Sequence, residues 1–236
     1  MLEELQKIYG SSWKVHLVDL ESDEHKKEWF LRLNPNGRIP TLLDNRGILP
    51  ISVMESPAIL VYLQEHLDKD NIFGFDEPSE RSQVLQWLFF WQCASPIQGT
   101  ARYFYKSVEK PAQRIYAHLT RSKPGVTDIF LDITERFRSE MLRIYSVLED
   151  HLSGKYQSAP RDYLAGSGCG KYSIADMGTW PHVQAYRSIG FSEEDMSPFG
   201  SLLRWINRVG QRDAVRIGTG GKYDSEENPD WVLHTV

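Results

Sequence analysis

Apolar positions change their period partway along the chain. From Met1 to Leu67 short apolar runs of different repeat follow one another. MLEELQKIY steps as a helix, WKVHLVDL alternates as a strand, and DEHKKEWFLRL reads as a polar helix. A strand opened by Pro40, a second in ILPISV and an amphipathic helix from Ser56 complete the series. KDNIFGFDEP, residues 69–78, is a turn-rich linker, and Ser79 is placed to cap a new helix after Pro78. Beyond it the repeat is helical. Arg81 to Ala94 carries Val84, Trp87, Leu88 and Trp91 on one face, with Leu85 and Phe89 on another. Phe130, Ile133, Phe137, Met141, Ile144 and Leu148 recur at helical spacing, as do Phe199, Leu202, Leu203, Ile206 and Val209. Residues 106–127 read as an irregular insertion. The expected organisation is an α/β domain over 1–68, a linker over 69–78 and an all-helical domain over 79–236.

Chemistry concentrates in two nearby stretches, NPNGRIPTLLD (Asn34 to Asp44) and MESPAILVYL (Met54 to Leu63). Proline at the head of a strand implies a constrained X-Pro bond. If that bond is cis, Ile39 turns its N–H and C=O outward, free to pair with an extended peptide. Ser56 stands at an N-cap position with Pro57 as first helical residue, so a helix N-terminus and a hydroxyl face a carboxylate together. Glu55 beside them suits an ammonium. A small zwitterionic peptide would be gripped at one end by Glu55 and Ser56 and at its middle by the Ile39 backbone.

With QWLFFWQ (Gln86 to Gln92) and YSIAD (Tyr172 to Asp176), these motifs occur in an order that resembles the glutathione transferases. Within them the resemblance is to the fungal class related to the yeast nitrogen-catabolite regulator. It implies a thioredoxin-like α/β domain, an all-α domain and a site in the cleft between them. It also implies glutathione as cosubstrate, a homodimer, and attack of the glutathione sulfur on a hydrophobic electrophile. By the same resemblance His25 and Arg38 join Ile39, Pro40, Glu55 and Ser56 around glutathione. Trp91, Ser95, Arg102 and Tyr103 would line the second-substrate pocket. Family members begin with a strand whose end carries the thiol-activating residue, followed by a helix like Met1 to Leu5. The chain as given starts at that helix, so the first domain is expected to be incomplete at its start and no residue is assigned as activator. Met1 would then be internal to a longer reading frame, or ordinary transferase activity would be lost. Two other functions stay open: a fungal secondary-metabolite enzyme catalysing isomerisation, elimination or cyclisation, and a non-catalytic glutathione-binding regulator.

Composition removes several alternatives. Of 236 residues 41% are hydrophobic, enough for a sizeable core, and a net charge of −5 disfavours nucleic acid and anionic membrane as main partners. No signal sequence or bilayer-length apolar stretch is visible, which points to the cytoplasm. Cys93 and Cys169 suit neither a disulfide framework nor a zinc site, and no metal is expected. Cys93, in an apolar helix, reads as a buried and inert thiol. His66, His118, His151, His182 and His234 share no spacing and read as surface or capping residues. AGSGCGKYS is out of register for a phosphate loop and reads as a loop before a Ser173-x-x-Asp176 capping box. GTGG at Gly218 to Gly221 follows no strand, so a dinucleotide site is not expected.

Overall fold

A computed structural model describes residues 1–109, 126–157, 159–223 and 232–233. In chain order the elements are α1 (Leu2–Tyr9), β1 (Val15–His16), a 3-10 turn (Glu24–Lys26), α2 (Glu28–Leu33), β2 (Thr41–Asp44), β3 (Ile51–Met54) and α3 (Ser56–Leu67). There follow α4 (Pro78–Glu109), α5 (Val126–Leu152), α6 (Ile174–Val183), a 3-10 turn (Tyr186–Ile189), α7 (Glu193–Met196) and α8 (Gly200–Gly210). Last come α9 (Asp213–Gly218), a 3-10 turn (Gly221–Tyr223) and β4 (Val232–Leu233). They form two compact units, one of Met1–Pro78 with Arg208–Val236 and one of Ser79–Asn207.

The first unit contains two small sheets. β2 and β3 pair antiparallel with Thr41 opposite Met54 and Asp44 opposite Ile51; β1 and β4 pair parallel, Val15 with Val232 and His16 with Leu233. Leu5 of α1, Phe30 of α2 and Leu63 of α3 are buried, one from each helix of the predicted α/β pattern. Asp44, at the end of β2, accepts from Tyr62 of α3 at 2.8 Å and from Arg46, whose guanidinium holds the carboxyl well below the usual carboxylate range. The hairpin and α3 are thus tied to each other by a shared carboxylate.

In the second unit one carboxylate organises the helices. The Ser173 hydroxyl accepts from the Ala175 N–H and Asp176 bonds back to the Ser173 N–H, the capping box expected at the start of α6. Asp176 is fully buried and also accepts from the Leu164 N–H at 3.1 Å and from Trp205 Nε1 of α8 at 2.8 Å. Met141, Ile144, Tyr145 and Leu148 of α5 and Leu202 and Trp205 of α8 are buried along the helical stripes. Trp205 lies on a stripe whose sequence reading named Phe199, Leu202, Leu203, Ile206 and Val209 but not Trp205.

Four expectations are corrected. WKVHLVDL yields a strand of only two residues, because a strand needs a ladder partner and β4 provides one at two positions; Leu17 and Leu20 are exposed instead. The helix predicted to begin after a Ser79 cap includes Pro78, a residue suited to a helix's first turn. That helix runs unbroken through Pro96 to Glu109, so residues 106–109 are helical, and the rest of the predicted insertion to residue 125 lies outside the described residues. Residues from Arg208 onward, assigned by periodicity to the helical domain, cluster with the first unit because their charged side chains bond to α1. No helix among the described residues is long and apolar enough to cross a membrane.

Candidate functional site

The register of the β2–β3 hairpin makes the site. Thr41 opposes Met54, so the residues just outside the pair, Pro40 on one strand and Glu55 on the other, emerge at the same end of the hairpin. The Ile39–Pro40 bond is cis. Ile39 is about half exposed, and neither its N–H nor its C=O is bonded among the described residues. Across from it Glu55 is held at φ 68, ψ 120, a conformation that costs a non-glycine residue about 1 to 3 kcal/mol and so marks a place where surrounding structure dictates the backbone. Asn36 Nδ2 donates to Glu55 Oε1 at 3.4 Å, bridging the two sides.

α3 begins at Ser56, with Glu55 in the N-cap position and Pro57 second in the helix, one residue earlier than the sequence reading placed the start. The cause is that Glu55 O already accepts from the Ile59 N–H at 2.9 Å, closing the first turn. The Ser56 hydroxyl makes no hydrogen bond among the described residues, and the helix's first-turn donors and positive end lie beside it. A free acceptor and donor on Ile39, an acidic group on Glu55 and a donor-rich helix start are therefore grouped at one hairpin end.

Three residues that the sequence reading did not assign hold this end in shape. Asn34, 2% exposed, donates from Nδ2 to Arg38 O at 2.7 Å and to Thr41 Oγ1 at 3.2 Å, while its Oδ1 accepts from the Asn36 N–H at 3.0 Å. Gly37 sits at φ 59, and a Cβ there would meet His25 O at 2.9 Å and Leu31 Cδ2 at 2.9 Å. Lys26 Nζ donates to Gly37 O at 2.7 Å. The signal was present in NPNG, since an asparagine before proline folds its side chain onto the backbone two residues on. Asn34→Ala is expected to cost about 3 kcal/mol, from three lost bonds, with the Arg38 carbonyl left only the 3.5 Å contact from Thr41 Oγ1. Calorimetry should show a melting point lower by roughly 6 to 12 °C. A variant melting within about 2 °C of the parent would remove Asn34 from this role.

The other predicted residues divide. His25 stands on the 3-10 turn that packs on Gly37, its side chain only 17% exposed and 3.9 Å from Asp23, with Nδ1 buried and unbonded. Arg38 is exposed, and only its carbonyl is bonded among the described residues, accepting from Asn34 Nδ2 and Thr41 Oγ1. On α4, Trp91 is buried, Ser95 half-buried and Arg102 exposed along one stripe; Tyr103 is 65% exposed and turned about 120° from Trp91 at 100° per residue. None of these four lines the recess of ≈ 570 Å³ in the helical unit, which is walled by Trp87, Phe90, His151 and Arg161 among others. Cys93 is exposed, contrary to its buried reading, because it falls in step with exposed Leu85 and Phe89 rather than with the core stripe. His151 and His182 are half-buried with burial pushing both imidazoles down; His151 bonds Leu164 O at 2.8 Å and His66 stacks on Tyr62. His118 and His234 lie outside the described residues. No cluster of three metal-ligating side chains occurs among the described residues.

Comparison with known proteins places these features in context. The family profile "Glutathione S-transferase, N-terminal domain" matches residues 6–66 and "Glutathione S-transferase, C-terminal domain" matches 132–208. The chain is 32% identical to the disulfide-bond oxidoreductase YfcG of Escherichia coli, over 86% of this chain and 81% of that protein. The crystal structure of the glutathione transferase URE2P5 from Phanerochaete chrysosporium superposes with a TM-score of 0.72 at 31% identity, covering 96% of this chain and 88% of that one. A glutathione transferase homolog from Lodderomyces elongisporus, crystallised with two glutathione molecules per subunit, superposes with a TM-score of 0.71 at 28% identity, over 92% and 88%.

Proposed function

The chain belongs to the glutathione S-transferase superfamily and resembles its Ure2p-like members, and from that premise we propose that it binds glutathione at the β2–β3 hairpin end and uses the bound thiol as a nucleophile. The observation that carries the reading is the hairpin register, which sets an unpaired Ile39 backbone beside Glu55 and Ser56. Ile39 pairs with the cysteinyl part as an added strand would. Ser56 and the start of α3 take the γ-glutamyl carboxylate, Glu55 takes its ammonium, and His25 and Arg38 meet the remaining polar groups. In the reaction the glutathione S–H gives up its proton to solvent, the thiolate sulfur forms a bond to an electrophilic carbon of a hydrophobic substrate, and the leaving group departs with its electron pair.

A second reading is favoured by the disulfide-bond oxidoreductase relative: the thiolate attacks a disulfide, expels one thiolate, and a second glutathione releases the product thiol as glutathione disulfide forms. The protein is proposed to act as a homodimer. Leu85, Phe89 and Cys93 recur every four residues on α4 and are all exposed, a stripe that a second copy would cover.

Calorimetric titration with glutathione, followed by rates with an aryl halide and with a small dialkyl disulfide, separates these readings. Saturable heat with aryl-halide turnover supports the transferase; turnover of the disulfide alone supports the second reading. Binding without either turnover would mark a regulator, and absence of binding would overturn the site. Light scattering on the same sample should give twice the 27.3 kDa chain mass.

A further inference from the structure

The last part of the chain is bonded to its beginning. Glu3 and Glu4 are neighbours on α1 with side chains only 8% and 5% exposed. A buried carboxylate needs cations or hydrogen-bond donors to offset its lost hydration. Among the described residues the side-chain cations bonded to these two lie 219 and 208 positions later. Lys222 Nζ donates to Glu3 Oε1 at 2.7 Å, joined there by the Tyr223 hydroxyl. Arg212 donates to both oxygens of Glu4, at 2.7 and 3.2 Å. Lys7 of α1 pairs with Asp213 at 2.9 Å, and Lys222 also donates to Gln6 at 3.2 Å and sits 5.0 Å over the Trp13 ring. Further on, Val232 and Leu233 form the parallel partner of Val15 and His16.

From β1 a series of contacts leads to the hairpin end. The His16 ring packs edge-on against Trp29 at 5.3 Å, and its Nε2 lies 3.5 Å from Glu24 Oε1, an electrostatic contact without hydrogen-bond alignment. Glu24, itself buried, accepts from the Asp19 N–H at 2.7 Å and opens the 3-10 turn that includes His25 and Lys26. Lys26 in turn holds Asn36 O and Gly37 O, immediately before Arg38 and Ile39.

We propose that Arg212–Tyr223 with β4 is a clasp belonging to the glutathione-binding unit, and that it sets the affinity of the hairpin-end site by fixing α1 and β1, and through them the 3-10 turn. The link to glutathione rests on the function proposed above; the clasp itself rests on the buried acid–base pairs and the parallel strand. Contacts in series are only a candidate for coupling, so the test measures coupling directly.

In the full chain, Arg212→Met with Lys222→Met removes the side-chain cation from each of the two buried carboxylates. Adding Glu3→Gln and Glu4→Gln removes the charges that need them. A third variant, Val232→Pro with Leu233→Pro, removes both N–H donors of β4. The cation-deleted and strand variants are expected to melt at least 5 °C lower and to bind glutathione at least tenfold more weakly. The fourfold variant is expected to recover most of both. If the cation-deleted chain fails to fold, the fourfold and strand variants still decide the matter. Melting points and affinities equal to the parent in the strand variant, and in the cation-deleted variant where it folds, would overturn the clasp. Lower melting points with unchanged affinity would overturn its hold on the site. If the parent itself binds no glutathione, the function reading fails, and recovery of the melting point in the fourfold variant alone decides the clasp.

Discussion

Replacing Asp176 by alanine is expected to lower the stability of the helical unit by about 3 to 5 kcal/mol, which for a chain of this size is a melting-point drop of roughly 6 to 20 °C. Its carboxylate is fully buried and accepts from the Leu164 and Ser173 N–H groups, the Ser173 hydroxyl and Trp205 Nε1. Alanine would leave these donors facing a void, including a tryptophan N–H with no exposure at all. Burial pushes the Asp176 carboxyl up to about 6 despite those donors, so the folded state binds its proton more tightly than the unfolded chain does. The sign of the pH dependence follows. Stability from this group is present below about pH 4 and is lost as pH rises to about 6, by about 3 kcal/mol in total. Denaturation curves of the parent and Asp176→Asn, compared between pH 4 and 6, should diverge in that direction. Parallel curves would mean that the donors offset burial completely, and an alanine variant melting like the parent would remove Asp176 from its central position.

Glutathione affinity is expected to fall by at least a hundredfold when Glu55 and Ser56 are both changed to alanine. Each removes a charge-assisted bond of about 1.5 to 3 kcal/mol, one to the ammonium and one to the carboxylate of the same γ-glutamyl end. Both side chains are exposed at the start of α3, and neither supports the core, so the fold should persist. Glu55 contributes a second effect, because its backbone is held at φ 68 whatever its side chain, and alanine there retains that strain without the carboxylate. Calorimetric titration of the single and double variants would resolve the two parts. Unchanged affinity in the double variant would move the site elsewhere.

What could be read from the sequence depended on how local the determinants were. α1, α3, the β2–β3 hairpin and the capping box of α6 are each specified by residues within a few positions of one another, and all of them are present. The constrained Ile39–Pro40 bond and, to within one residue, the start of α3 were legible for the same reason, since a proline, a turn and a helix start announce themselves in short windows. Whatever depends on distant partners was not legible. The eight-residue strand expected at WKVHLVDL is two residues long because its neighbour comes from the far end of the chain. Cys93 could not be placed by composition, since a helix that is apolar on most sides gives no sign of which side meets solvent. Asn34 and Gly37 were visible as a turn motif, but only the distances show that one ties Arg38 and Thr41 while the other leaves no room for a side chain.

The pairing of Glu3 and Glu4 with Lys222 and Arg212 also sets an order of events during synthesis. A ribosome adds about 5 to 20 residues per second, so the acids of α1 emerge roughly 10 to 40 s before the cations that neutralise them. The helical unit, Ser79–Asn207, is complete before either cation is made. The first unit, although it is translated first, is therefore the last to be finished. During that interval β1 lacks its parallel partner, an open strand edge of the kind that incompletely folded chains expose.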